Sequence, residues 1–116
     1  LLPMPMLKEA RGVSKYATSM IDNSDGLARC LIEICKASGV GAKVRIDDIP
    51  IAKGAALKQA LDGGEDYNLL LTIPRNKIGS IRNGVVIGIV TTSRKILLID
   101  KNGNERELRD KGYEQL

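Results

Sequence analysis

The sequence has no His, no Trp and no Phe, and its only aromatic residues are Tyr16, Tyr67 and Tyr113. The absence of His excludes imidazole metal ligands. With no rings interleaved among the basic residues, the stacking platforms of single-strand nucleic-acid readers are missing as well, and any core must be aliphatic. No apolar run is long enough to span a bilayer as a helix. Cysteine is scarce: Cys30 and Cys35 are the two. Five residues apart on one predicted helix, they point roughly 140° away from each other. That suits a disulfide poorly, and they read as buried thiols of a cytoplasmic protein. Charge of one sign is modest too, since 18 Lys and Arg face 14 Asp and Glu, for a net charge of +4. The basic residues are spread along the chain without a dense run, which describes a solvated surface that also suits a phosphorylated substrate.

What is present describes one soluble globular domain, 116 residues long, 43% hydrophobic and 28% charged, a size that buries a real core. Residues 1–6 have neither a basic n-region nor a small-residue cleavage site, so they do not read as a signal peptide. The chain opens on Leu1 and reads as a piece of a longer one.

Hydrophobic spacing orders the elements as an α/β sandwich. Pro3 and Pro5 predict an extended lead-in to a helix over residues 7–17, with Gly12 a weak point. Residues 18–21 form a short strand or extended turn. Leu27, Cys30, Leu31, Ile34, Cys35 and Ser38 then repeat at i, i+3, i+4, i+7 and i+8, the face of a helix whose first turn lies at residues 24–27. Gly39 closes it. Residues 42–46 alternate as a strand, and Asp47-Asp48-Ile49-Pro50 is a turn whose carboxylates read as turn and cap residues rather than ligands. A short helix is expected over 53–61, a central strand over 67–73 stopped by Pro74, a short helix over 76–82, and a strand over 85–91. Gly88 marks a bulge or a close backbone contact in that last strand. Asn102-Gly103 is the strongest hairpin signal, joining strands at 96–100 and 105–108.

Two stretches carry candidate chemistry. In Asp22-Asn23-Ser24-Asp25-Gly26-Leu27, two carboxylates bracket a hydroxyl at a helix start, where free backbone N–H groups and the dipole favour anionic oxygens. Paired Asp side chains are hard oxygen donors of the kind Mg²⁺ takes beside substrate phosphates. The plainer alternative is an N-cap. In Asp62-Gly63-Gly64-Glu65-Asp66-Tyr67, two glycines allow close backbone approach to a ligand. Two carboxylates then stand at the mouth of a buried strand, where desolvation is costly. The alternative there is a helix C-cap followed by solvent-facing acids.

These two stretches, with Ala37-Ser38-Gly39-Val40-Gly41-Ala42, Gly63-Gly64-Glu65-Asp66-Tyr67-Asn68-Leu69-Leu70, Ile87-Gly88-Ile89-Val90 and Gly112-Tyr113, resemble the C-terminal half of the thiamine-monophosphate kinase family. The Gly-Gly-Glu-Asp-Tyr run is the most specific part. The first motif is shared more loosely by aminoimidazole ribonucleotide synthetase, selenophosphate synthetase and hydrogenase-maturation proteins. The sequence departs from the pattern at Asn23, where an apolar residue is usual, and in its Tyr-Glu-Gln-Leu tail.

The resemblance implies a three-layer α/β/α sandwich with a mixed sheet and partly ferredoxin-like topology, as in the C-terminal domain of aminoimidazole ribonucleotide synthetase. It implies ATP- and Mg²⁺-dependent phosphorylation of thiamine monophosphate to thiamine diphosphate. Asp22 and Asp25 would ligate Mg²⁺, Ser24 would contact the phosphates of the co-substrate ATP, Glu65 would contact the thiamine phosphate, and Tyr113, or else Leu116, would lie by its ring system. No catalytic side chain is implied. Residues 1–116 form one domain in this reading, with an N-terminal ATP-binding domain outside the sequence, a homodimeric full-length enzyme, no nucleic-acid or membrane partner, and an isolated domain that is inactive. The alternatives are the same fold from a related ATP-dependent synthetase or maturation protein, and a non-catalytic ligand-binding domain.

Overall fold

The computed structural model describes residues 2–7, 17–22, 26–50, 69–80 and 84–109. Its strands are β1 (Pro3–Leu7), β2 (Ser19–Asp22), β3 (Gly41–Arg45), β4 (Leu69–Thr72), β5 (Gly84–Thr91), β6 (Ile96–Ile99) and β7 (Glu105–Leu108). The helix α1 spans Leu27–Ser38. Short 3-10 turns follow β3 at Ile46–Asp48 and β4 at Arg75–Ser80. The strands form one mixed sheet in the order β2-β4-β1-β5-β3-β6-β7. The β3–β6 pair is parallel, and the other pairs are antiparallel.

The apolar stripe of α1 does what its period demands. Leu27, Cys30, Leu31, Ile34 and Cys35 are buried, while Arg29, Glu33 and Lys36 face water. The helix packs over β2, β3, β4 and β6, sharing a core with Met4, Met6, Ala42, Val44, Leu70 and Leu98. Each Met, Leu, Ile or Val side chain so buried stabilises by about 1.5–3 kcal/mol. Ser38, expected on the buried face, is exposed, because the helix ends there. Gly39 takes φ 66°, ψ 35°. Its N–H bonds to the Lys36 carbonyl at 3.3 Å and the Val40 N–H to that of Cys35 at 3.0 Å, the two bonds of a Schellman closure.

The opposite face of the sheet is also covered, since Leu7, Leu71 and Ile73 are fully buried there, with Ala17, Leu69 and Ile78 packed on them. A sheet buried on both faces is the signature of layered α/β architecture. The helix expected over 53–61 lies outside the described residues.

The start of the chain departs from expectation. Pro3 and Pro5 belong to an interior strand rather than a lead-in, and Leu7, placed at the head of a helix over 7–17, ends β1 paired with Leu69 and Gly84. Residues 8–16 lie outside the described residues. Proline lacks the N–H that an interior strand donates. Here Pro3 opens the strand, and the register shifts between Met4, opposite Gly88, and Pro5, opposite Val86. The carbonyls still serve both neighbours: Ile73 N–H donates to Pro3 at 3.3 Å, and Val90 N–H to Leu2 at 2.7 Å. Complete burial of all five residues outweighs the missing donors.

Gly88 fulfils its expected role by close contact, because a Cβ there would run into the Lys43 carbonyl of β3. The hairpin signal is also met, with a longer loop. The last pair is Ile99 with Glu105, and the Asp100 carboxylate organises the turn. It accepts the N–H groups of Asn102 at 2.9 Å and Asn104 at 3.0 Å. Those bonds, the Asn104 N–H first, hold the Asp100 carboxyl below its ordinary range.

Candidate active site

The topology brings two separate stretches of sequence to one rim. Asp22, the last residue of β2, pairs with Leu69, the first residue of β4. Leu69 also pairs with Leu7, and Leu7 with Gly84, so four strands end or begin in one row. The chain leaves this row at Asp22 towards α1, whose contacts include both β2 and β4. Leu69, where β4 enters the row, follows Glu65 by four positions in the sequence.

The helix begins at Leu27, where its apolar period opens and three residues after the expected start of its first turn at residue 24. Gly26 is the N-cap, at φ 99°, ψ 156°, a backbone region that costs little only for glycine. Its carbonyl accepts the first helical bond, from Cys30 N–H at 3.2 Å. Glycine has no side chain to cap with, and no acidic residue lies in the first turn. The positive end of the dipole is therefore not offset from within the helix. Sequence reasoning treated Gly26 as part of a motif and did not assign it this role. The signal available was a glycine directly before an apolar-periodic run.

Of the predicted ligands, Asp22 lies on the rim as the last residue of β2. Ser24, Asp25, Glu65 and Tyr113, and Leu116 with them, lie outside the described residues. Two carboxylates three positions apart are a donor set that fits Mg²⁺ by hardness. Among the described residues, no group of three or more His, Cys, Asp or Glu is arranged to hold a metal. Asp48 stays a turn residue, its carboxylate 3.6 Å from Arg45 Nε. Cys30 and Cys35 are free and buried, and burial pushes the Cys35 thiol up to about 11. Such a thiol is neutral and unreactive at physiological pH.

No family model matches the chain. Individual relatives do. It is 34% identical over 121 residues to the thiamine-monophosphate kinase of Pyrococcus horikoshii, covering 97% of this chain and 39% of that protein. The Escherichia coli enzyme of that name is 33% identical, over 98% of this chain and 40% of its own length. The chain belongs to the thiamine-monophosphate kinase family. It spans about two fifths of the length of those family members (39% and 40%).

Solved structures agree. The thiamine monophosphate kinase of Aquifex aeolicus is 27% identical, with a TM-score of 0.65 over 81% of this chain and 34% of that one. AaThiL complexed with AMPPCP and TMP is 25% identical, with a TM-score of 0.66 over 84% of this chain and 35% of that one. E. coli HypE, a hydrogenase maturation protein, has a TM-score of 0.69 over 86% of this chain and 37% of that one. At 18% identity it shows a fold shared beyond the thiamine-monophosphate kinases. Among the described residues, no helix is long and apolar enough to cross a membrane.

Proposed function

We propose that the chain is the C-terminal domain of a thiamine-monophosphate kinase and contributes half of an active site, the nucleotide domain lying N-terminal to it in the parent protein. The reaction moves the γ-phosphoryl group of ATP onto the phosphate of thiamine monophosphate. The bond from the γ-phosphorus to the β,γ-bridging oxygen breaks, a bond to a substrate phosphate oxygen forms, and thiamine diphosphate and ADP leave. Little covalent work falls to the protein, which positions the two phosphates and offsets their charge.

In this reading Asp22 and Asp25 hold Mg²⁺, which when bound neutralises phosphate charge. Ser24 donates its hydroxyl to an ATP phosphate. The N–H groups of the first turn of α1, uncapped by any Gly26 side chain, aim positive charge the same way. Glu65 contacts the thiamine phosphate, and Tyr113 lies beside its ring system. A homodimeric parent enzyme and a cytoplasmic location, in keeping with two free buried thiols, complete the proposal.

The observation that carries it is the pairing of Asp22 with Leu69 beside the α1 start, which draws the approaches of both motifs to one rim. The ligands AMPPCP and TMP in AaThiL support the substrate assignment. In the parent enzyme, Asp25→Asn is expected to weaken Mg²⁺-nucleotide binding by roughly tenfold or more, through the loss of one charged ligand, with little loss of fold. Glu65→Gln should raise KM for thiamine monophosphate. Unchanged nucleotide affinity in the first variant and unchanged KM in the second, by calorimetry and steady-state kinetics, would return both motifs to capping and turn roles.

A further inference from the structure

At the other end of the strand order from β2 and β4, a cleft of about 370 Å³ opens between the C-terminal half of α1 and the β6–β7 edge. None of the site residues above lines it. Its volume lies in the range of small-molecule sites, which are mostly apolar with a few convergent charges. The apolar lining includes Cys35, Ile96 and Leu108, all buried. The charged lining is one-sided: Lys36, Arg94, Lys95 and Arg109 against Glu107 alone. Glu107 is already engaged, 3.7 Å from the Arg109 guanidinium. Among the described residues, Arg94 and Lys95 have no ion-pair partner.

Arg94 is also the one non-glycine residue with positive φ among the described residues, at 63°. A side chain with a Cβ is strained in that region, and glycine or asparagine takes it at less cost. The surroundings hold the strain in place. Ala42 N–H donates to the Lys95 carbonyl at 2.9 Å, and Lys95 N–H donates to Ser93 Oγ at 3.3 Å. The backbone of residues 94 and 95 lies so close to Gly41 that a Cβ there would sit 2.9 Å from the Arg94 nitrogen. A guanidinium kept where glycine fits better points to a use for the guanidinium.

The carbonyl end of α1 faces the same region, and by itself it would repel anions. Two of its carbonyls, those of Cys35 and Lys36, already accept the N–H groups of Val40 and Gly39, and Lys36 stands in the last turn.

We propose that this cleft is a second ligand site, taking a small organic phosphate: an apolar body against Ile96 and Leu108, with its phosphate monoester held by Arg94 and Lys95. The proposal is independent of the phosphoryl-transfer reading of the opposite rim.

The test is an amide NMR titration of the 116-residue chain with phenyl phosphate, phenol and inorganic phosphate in turn. Phenyl phosphate is expected to give saturable shifts gathered at Val40, Ile96 and Leu108, and to bind roughly tenfold more tightly than either part alone. Arg94→Gly should keep a melting midpoint at or above that of the parent chain while weakening phenyl phosphate by roughly tenfold. A merely structural arginine would not separate the two readouts. Lys95→Glu should weaken binding further, and Lys101→Glu, on the β6–β7 turn, should leave it unchanged. Shifts that fail to saturate or gather elsewhere, or an Arg94→Gly chain that binds as tightly as the parent, would overturn the proposal.

Discussion

Gly26 joins the residue-scale chemistry of the rim to the fold. It is buried and holds φ 99°, ψ 156° where β2 gives way to α1, so the start and direction of the helix depend on a conformation that other residues reach only under strain. Gly26→Ala is expected to destabilise the chain by about 1–3 kcal/mol, read as a lower urea midpoint. A loss below about 0.5 kcal/mol, the range of ordinary surface changes, would mean that the turn relaxes and that Gly26 is not what sets the helix start. The motif containing Gly26 was legible in the sequence because a carboxylate, a hydroxyl and a glycine before an apolar period form an unusual conjunction. Its backbone geometry was not, because glycine alone is compatible with every region of φ/ψ space.

At the scale of elements, the outcome depends on whether local pattern and tertiary pairing agree. For α1 they do: spacing, C-terminal glycine and burial all give one helix, with a late start and an exposed last residue. For β1 they conflict. Two prolines in five residues argue against an interior strand, yet Met4, Met6 and Leu7 lose almost all contact with water once β4 and β5 close around them, and burial decides. The β6–β7 hairpin adds a pH-dependent element. Asp100 titrates below its ordinary value because Asn104 and Asn102 donate to its charged form. The unfolded chain therefore takes up this proton more readily, so the turn's contribution to stability is present above about pH 4 and is lost as pH falls through the depressed folded value. The Asn102 and Asn104 amide shifts should move together in that acid window, and Asp100→Asn should abolish the shared transition. Independent titration of the two amides would show that Asp100 does not organise the turn.

At the scale of the whole molecule, the sheet is closed in on both faces over β1 and β4, but the proposed site is half of one. The chain covers 39–40% of the Pyrococcus horikoshii and Escherichia coli relatives, and the proposed chemistry needs a nucleotide domain as well. The 116-residue chain alone is expected to fold cooperatively and to make no thiamine diphosphate from ATP and thiamine monophosphate; turnover at an enzyme-like rate would sink the two-domain reading. The sequence by itself determined the family resemblance and the aliphatic core, through its motifs and its composition, and the α1 stripe and the hairpin, because these two rest on residues within a few positions of one another. Tertiary structure alone decided that Pro3 and Pro5 enter an interior strand, that Asp22 meets Leu69, and that Arg94 and Lys95 stand beside α1. Those facts depend on pairings across tens of residues, whose energy comes from burial and strand register, and neither is written in any local pattern.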